Sequence, residues 1–228
     1  MIPRSLGGKK IAVLVESEFI PEEIETYQRR FSELKATVHL MSRLWDNPSV
    51  RFFSDEDTGN TPRTIEVNID FQNVDVNDYA AVIMSANYTS VRLRYFDLLA
   101  SPPVNAADQV RTSPAVQFYA KAMANPRIIK GALCHGLWIL TPIPELLKGR
   151  QVICHEVVLA DIINAGAVYT TSPSGVVVDG DLVTGRSKHE VEPFIDAITE
   201  QIQQLSIATN RFSGRRATTS LSRVRAAS

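Results

Sequence analysis

Short β-branched apolar runs alternate along this chain with longer segments whose apolar residues recur every three or four positions. Ile11–Val15 is the first run, and its length and its polar ending predict a buried parallel strand. Pro21–Leu34 follows at helical spacing, with Ile24, Tyr27, Phe31 and Leu34 on one stripe. Pro21 with Glu22 and Glu23 behind it suits a helix N-terminus and its dipole. Thr37–Met41 reads as a second strand. Val50–Phe53 and Thr64–Ile69 flank a turn cluster, Asp55–Arg63, and predict a hairpin. Tyr79–Met84 and Ile128–Leu133 are further central strands, and helices are expected over Ser113–Ala124, His135–Leu140, Val158–Ala165 and Glu190–Leu205. Strands and helices alternating at these lengths predict an α/β fold, a doubly wound, largely parallel sheet covered on both faces. In such sheets ligands bind beyond the carboxyl ends of the strands, so the chemistry belongs at strand-to-helix corners.

Charge changes the picture at one end. Lys and Arg total 24 against 25 acids, but Arg211, Arg215, Arg216, Arg223 and Arg225 fall in the last 18 residues, which hold no acid. Residues 1–210 therefore carry a net charge of −6. The composition divides the chain into one α/β domain, residues 1–208, and a basic, flexible tail or linker, residues 209–228. The near-neutral total gives no electrostatic footprint for a dedicated nucleic-acid binder. No run approaches a membrane span, and Met1–Lys10 lacks the apolar core of a signal peptide, so a cytoplasmic location is expected. Two cysteines, Cys134 and Cys154, are too few for a disulfide framework and are read as free thiols. Each is followed by a histidine, but the spacing matches no closed zinc pattern, and no phosphate-binding glycine motif is present. No cofactor and no metal are expected.

The most informative stretch is Ile128–Trp138, where a strand runs straight into a helix with Cys134 on the corner. Ala132 and Gly136 lie two positions away on either side. Small neighbours at those places allow the sharp turn of a nucleophile elbow, which lifts the central side chain to the top of the sheet. A helix N-terminus there would favour a thiolate. His135 is an adjacent base if its ring turns toward the sulfur. A buried, inert cysteine is the alternative that spacing alone leaves open.

The corner resembles the Cys-His elbow of the ThiJ/PfpI superfamily, relatives of the class I glutamine amidotransferases. Further blocks are similar in the same order: Glu22–Thr26 to an acidic helix start, Ile65–Met84 to the strand, spacer and strand before the site, Asp161–Gly166 to a helix end, and Val176–Arg186 to a terminal hairpin. The resemblance spans about residues 10–205. It implies a flavodoxin-like sandwich, a homodimer or higher homo-oligomer, and a reactive Cys134 with His135. It also implies that Glu25 hydrogen-bonds the sulfur, with Glu22 or Glu18 as alternatives if the local lengths differ, and that His155 is a second candidate base. Amides near Ala86 and His135 are expected to hold an oxyanion, with Asn87 and Gly136 as further oxyanion or pocket residues.

Two departures from the family pattern qualify this reading. The glycine pair expected after Tyr79–Met84 is replaced by Ser85-Ala86-Asn87-Tyr88, and Asn87–Arg92 lacks the acid that would orient the histidine, leaving Asp97 as the nearest substitute. Peptidase activity is therefore doubtful. Extra length between Arg94 and Asp108, with Tyr95, Phe96, Leu98 and Leu99 to bury, suggests a pocket roof or a subunit interface. The function expected is a cysteine-dependent enzyme acting on a small electrophile, of glyoxalase, deglycase or hydrolase type. The rival is a redox-sensing, stress-response or scaffold module.

Overall fold

The computed structural model describes residues 5–55, 61–96 and 105–224, with side chains to residue 208. Its centre is a six-stranded sheet in the order β2-β1-β5-β6-β10-β9. These strands are β1 (Lys10–Leu14), β2 (Thr37–Met41), β5 (Ala81–Met84), β6 (Ile129–Leu133), β9 (Val176–Asp179) and β10 (Leu182–Gly185). All pairings are parallel except β9 with β10. The sheet is the flavodoxin-like, doubly wound α/β arrangement expected.

Strand periodicity sorts side chains onto two cores. Ile11 and Val13 of β1 pack with Ile24, Tyr27 and Phe31 of α1 (Pro21–Glu33) and with Phe194, Ile195 and Ile198 of α6 (Val191–Val224). Ala12 and Leu14 face the other way, onto Val116 and Tyr119 of α4 (Pro114–Ala124) and Val158 and Ile162 of α5 (Glu156–Asn164). Full burial of each large side chain contributes about 1.5–3 kcal/mol. Packing of α6 on β6 is close because Gly131 has no side chain: a Cβ there would lie 2.8 Å from the Phe194 ring.

The hairpin forms as expected from β3 (Val50–Phe53) and β4 (Thr64–Val67), paired Val50 to Val67. Two short strands, β7 (Gln151–Val152) and β8 (Val168–Tyr169), were not legible from periodicity, being too short to show any. The stretch expected as helix over His135–Leu140 is a 3₁₀ turn, Gly136–Leu140. The backbone of α6 continues through Val224, across the stretch whose composition marks a tail. Short helices α2 (Thr89–Arg92) and α3 (Ala106–Gln109) bracket the extra length after β5. Tyr95 of that stretch is not buried: it is 63% exposed. Asp97, Leu98 and Leu99 lie outside the described residues.

Lys130 of β6 is the one wholly buried lysine among the described residues, and it pairs with Asp181 and donates to the Asn125 carbonyl. Arg150 joins the same acid at 3.0 Å and also bonds Asp179. This network closes the amino end of the sheet, opposite the site. No helix of the described residues is long and apolar enough to cross a membrane.

Candidate active site

Cys134 sits immediately beyond β6 with φ of +59°, in the left-handed region that non-glycine residues rarely occupy. Its amide donates to the Gly185 carbonyl at 2.8 Å, and its carbonyl accepts from His155 N–H at 3.3 Å, so the strained corner is held from both sides. The small neighbours matter sterically. A Cβ on Gly136 would lie 2.9 Å from the Met84 carbonyl oxygen and 3.3 Å from the Ala132 methyl. Gly136 is therefore a packing residue and is not among the residues that line the pocket.

The sulfur faces a cavity of about 560 Å³ at the carboxyl edge of the sheet, whose walls include Asn87, Cys134, His135, His155, Arg63 and Arg186. The backbone N–H groups of Asn87 and His135 lie close enough to Sγ to favour its ionised form. Asn87 takes φ of +63° and its side-chain amide donates to Glu18 O at 2.8 Å and Asp55 Oδ2 at 2.7 Å. Asparagine is among the residues that best tolerate that backbone region, so it makes the turn without the glycine pair. Ala86, by contrast, is unavailable to an oxyanion, because its amide donates to both oxygens of Glu23 at 3.0 and 3.1 Å.

Glu23 corrects the assignment of Glu25. Helical geometry places Glu23, Tyr27 and Phe31 one above another on the inward stripe of α1, and Glu23 is 1% exposed. Glu25 lies about 200° further round the helix. It is exposed, and its carboxylate pairs with Arg63. Glu22 is also near Arg63, and Glu18 pairs with Arg92, so neither alternative reaches the sulfur. The four-residue spacing of Glu23, Tyr27 and Phe31 was the available signal, masked by reading Glu23 as dipole compensation. Burial raises the Glu23 carboxyl to about 7, against the lowering effect of the Ala86 amide and Tyr27. It lies close enough to raise the Cys134 thiol electrostatically when ionised.

His135 Nδ1 lies 3.4 Å from Sγ. Its ring is stacked by Tyr88, Trp138 and His155, with centroids at 5.5, 5.2 and 5.0 Å. Burial and the neighbouring His155 lower it to about 4, while burial and Glu23 raise Cys134 to about 12. Both groups are thus held toward their neutral forms, a thiol beside an uncharged imidazole. Among the described residues of this one chain, the ring's other nitrogen, Nε2, is buried without a hydrogen-bond partner. His155 reaches the site by another route: its Nδ1 caps α5 by accepting from Val157 N–H at 3.2 Å, leaving the ring against His135. The described residues contain no cluster of three ligating side chains arranged for a metal ion.

A left-handed cysteine between a parallel strand and a tight turn, with a buried carboxyl behind it, defines an α/β protein with a strand-to-turn cysteine elbow. Residues 9–201 match the model of the DJ-1/PfpI family, and the chain belongs to that family. It is 27% identical over 187 residues to the Bacillus subtilis protein named "Putative cysteine protease YraA", covering 82% of this chain and 94% of that one. A ThiJ/PfpI domain protein from Brachyspira murdochii superposes with a TM-score of 0.65 at 17% identity, over 87% of this chain and 98% of the other. A two-domain protein from Anabaena variabilis, with DJ-1/ThiJ/PfpI-like and ferritin-like domains, gives 0.66 at 21% identity over 87% of this chain. This chain spans 48% of that protein's length. Schizosaccharomyces pombe DJ-1 gives 0.59 at 14% identity, over 87% of this chain and 97% of the other.

Proposed function

We propose that the protein is a cytoplasmic, cysteine-dependent enzyme, acting as a homodimer or higher homo-oligomer on small α-oxoaldehydes. The observation that carries this reading is the convergence on one sulfur of the Asn87 and His135 amides and the His135 Nδ1. Because the resting thiol is neutral, attack and proton transfer are coupled. Sγ adds to the aldehyde carbon as its proton passes to His135 and on to the carbonyl oxygen, giving a hemithioacetal. The Asn87 and His135 amides, beside the sulfur, lie next to the developing oxyanion. A histidine then removes the C–H proton of the former aldehyde carbon. Return of that proton to the neighbouring carbon gives the thioester of a 2-hydroxy acid, which water hydrolyses to release the acid and the thiol. The sequence is a net hydration with internal redox, so it needs no external oxidant.

Wild-type protein incubated with methylglyoxal is expected to form lactate, and Cys134→Ala to reduce the rate at least 10³-fold, to background. No lactate from the wild type overturns this activity. The orphaned Nε2 of His135 favours one second reading, a thiol that is oxidised rather than catalytic, because an unoriented imidazole is a weaker base. Peptide mass spectrometry after mild peroxide separates the two: a sensor accumulates sulfinate at Cys134 and spares Cys154.

A further inference from the structure

A second cavity, of about 660 Å³, opens at the carboxyl edge of the sheet beside Glu16, which follows β1, and residues Val91–Phe96, which follow β5. After β1 the chain enters α1 on one face, and after β5 it goes on to α4 on the other. The crevice between these two strands is thus the topological switch point of the sheet, where α/β folds take up ligands. Its walls combine two features that a closed surface would not leave in place.

The first feature is aromatic. Trp45 and Tyr95 meet edge to face, with centroids 5.5 Å apart, yet they stay 43% and 63% exposed at the cavity. The second is cationic. Arg94 is half-buried, and it donates to the Thr141 hydroxyl at 2.8 Å and lies over the Trp138 ring. Among the described residues it makes no ion pair, although Arg92 and Arg43 on the same wall do, with Glu18 and with Asp70. Among the described residues, the Arg43 Nε–H is also buried without an acceptor. Asp161 acts on Arg94 only through its field, so the guanidinium is drawn partly out of water with no carboxylate in contact, and a carboxylate in the cavity would bind it with two parallel hydrogen bonds. The acid facing this cavity, Glu16, bonds the Ser17 amide at 2.9 Å and is held toward its neutral form by burial.

We propose that this cavity is a binding site, separate from the Cys134 pocket, for a small planar aromatic molecule bearing one carboxylate. The ring lies against Trp45 and Tyr95 and the carboxylate on Arg94. The test is calorimetric titration of the full chain with 2-naphthoate and with its neutral counterpart, 2-naphthalenemethanol. Naphthoate is expected to bind about tenfold to a hundredfold more tightly than the alcohol, the range of a hydrogen-bonded charge. Arg94→Met should bring naphthoate down to the level of the alcohol and leave the alcohol's own affinity unchanged, which a misfolded variant would not do. Val110→Trp, on the rim, should weaken both ligands, and Cys134→Ser neither. Equal affinities for the two ligands in the wild type, or no binding of naphthoate at millimolar concentration, overturn the proposal. So does loss of binding in Cys134→Ser with retention in Arg94→Met, which would move the ligand to the catalytic pocket. Binding that disappears as the wild type self-associates, followed by sedimentation, also overturns it, since a second copy would then be the occupant.

Discussion

The chain spells Cys-His twice, and the two pairs end in different situations. Cys134 occupies a left-handed corner, 6% exposed, with two amides and an imidazole at its sulfur. Cys154 is fully buried in the core under α5. Its thiol is raised to about 12 like that of Cys134, by burial first and then by the charges of Cys134 and Glu156. The histidines diverge in parallel, one bonded to its own cysteine and the other spent on a helix cap. Neighbouring letters therefore do not by themselves bring a sulfur and an imidazole together. What does is a backbone that turns the cysteine out of the strand at a corner where amides already point.

The widest separation between the pairs is expected in reactivity. At pH 8 iodoacetamide should label Cys134 at least 100-fold faster than Cys154, read by peptide mass spectrometry. Comparable rates would dissolve the distinction. Next in size is the acid behind Cys134. The folded protein holds the Glu23 proton up to about pH 7 and an unfolded chain only to about 4.5, so this group stabilises the fold below 4.5. That contribution, about 3 kcal/mol, is lost as pH rises from 4.5 to 7. His135 acts in the opposite sense. Lowered to about 4, it adds stability as pH rises through the same interval, so the wild-type curve alone is uninformative. The difference between Glu23→Gln and wild type isolates the carboxyl. The variant should gain on the wild type as pH goes from 5 to 8, by urea midpoints, and parallel curves would place the proton elsewhere. His155→Ala removes a cap and should cost about 1 kcal/mol of stability while slowing turnover only a few-fold. The smallest effect belongs to Glu25→Gln: an exposed pair with Arg63 is worth under about 1 kcal/mol, and the methylglyoxal rate should stay within twofold of wild type.

The main strands and the corner itself were readable from the sequence because they are patterns of spacing: apolar runs for β1, β5 and β6, and small residues two positions either side of Cys134. The acid was misread for a related reason. Glu25 fits a motif written as a string, whereas Glu23 is selected by the 100° step of the helix, which carries it and Tyr27 to the same inward face. Lys130 and its partners were invisible because a lysine inside an apolar run gives no hint of Asp181, brought alongside by β10. The second cavity was equally hidden. Arg43 and Trp45 lie far from Arg94 and Tyr95 in sequence, and the two pairs converge only through the strand order.

The left-handed backbone at Cys134 has a consequence for the history of the position. A side chain there costs roughly 1 kcal/mol or more that glycine would not incur. Left to drift under selection for folding alone, the corner would pass to glycine, the residue its geometry prefers. A cysteine at this place is thus held against the grain of thermostability, and the stability recovered in Cys134→Gly relative to Cys134→Ala would measure how much the protein forgoes in order to keep a sulfur there.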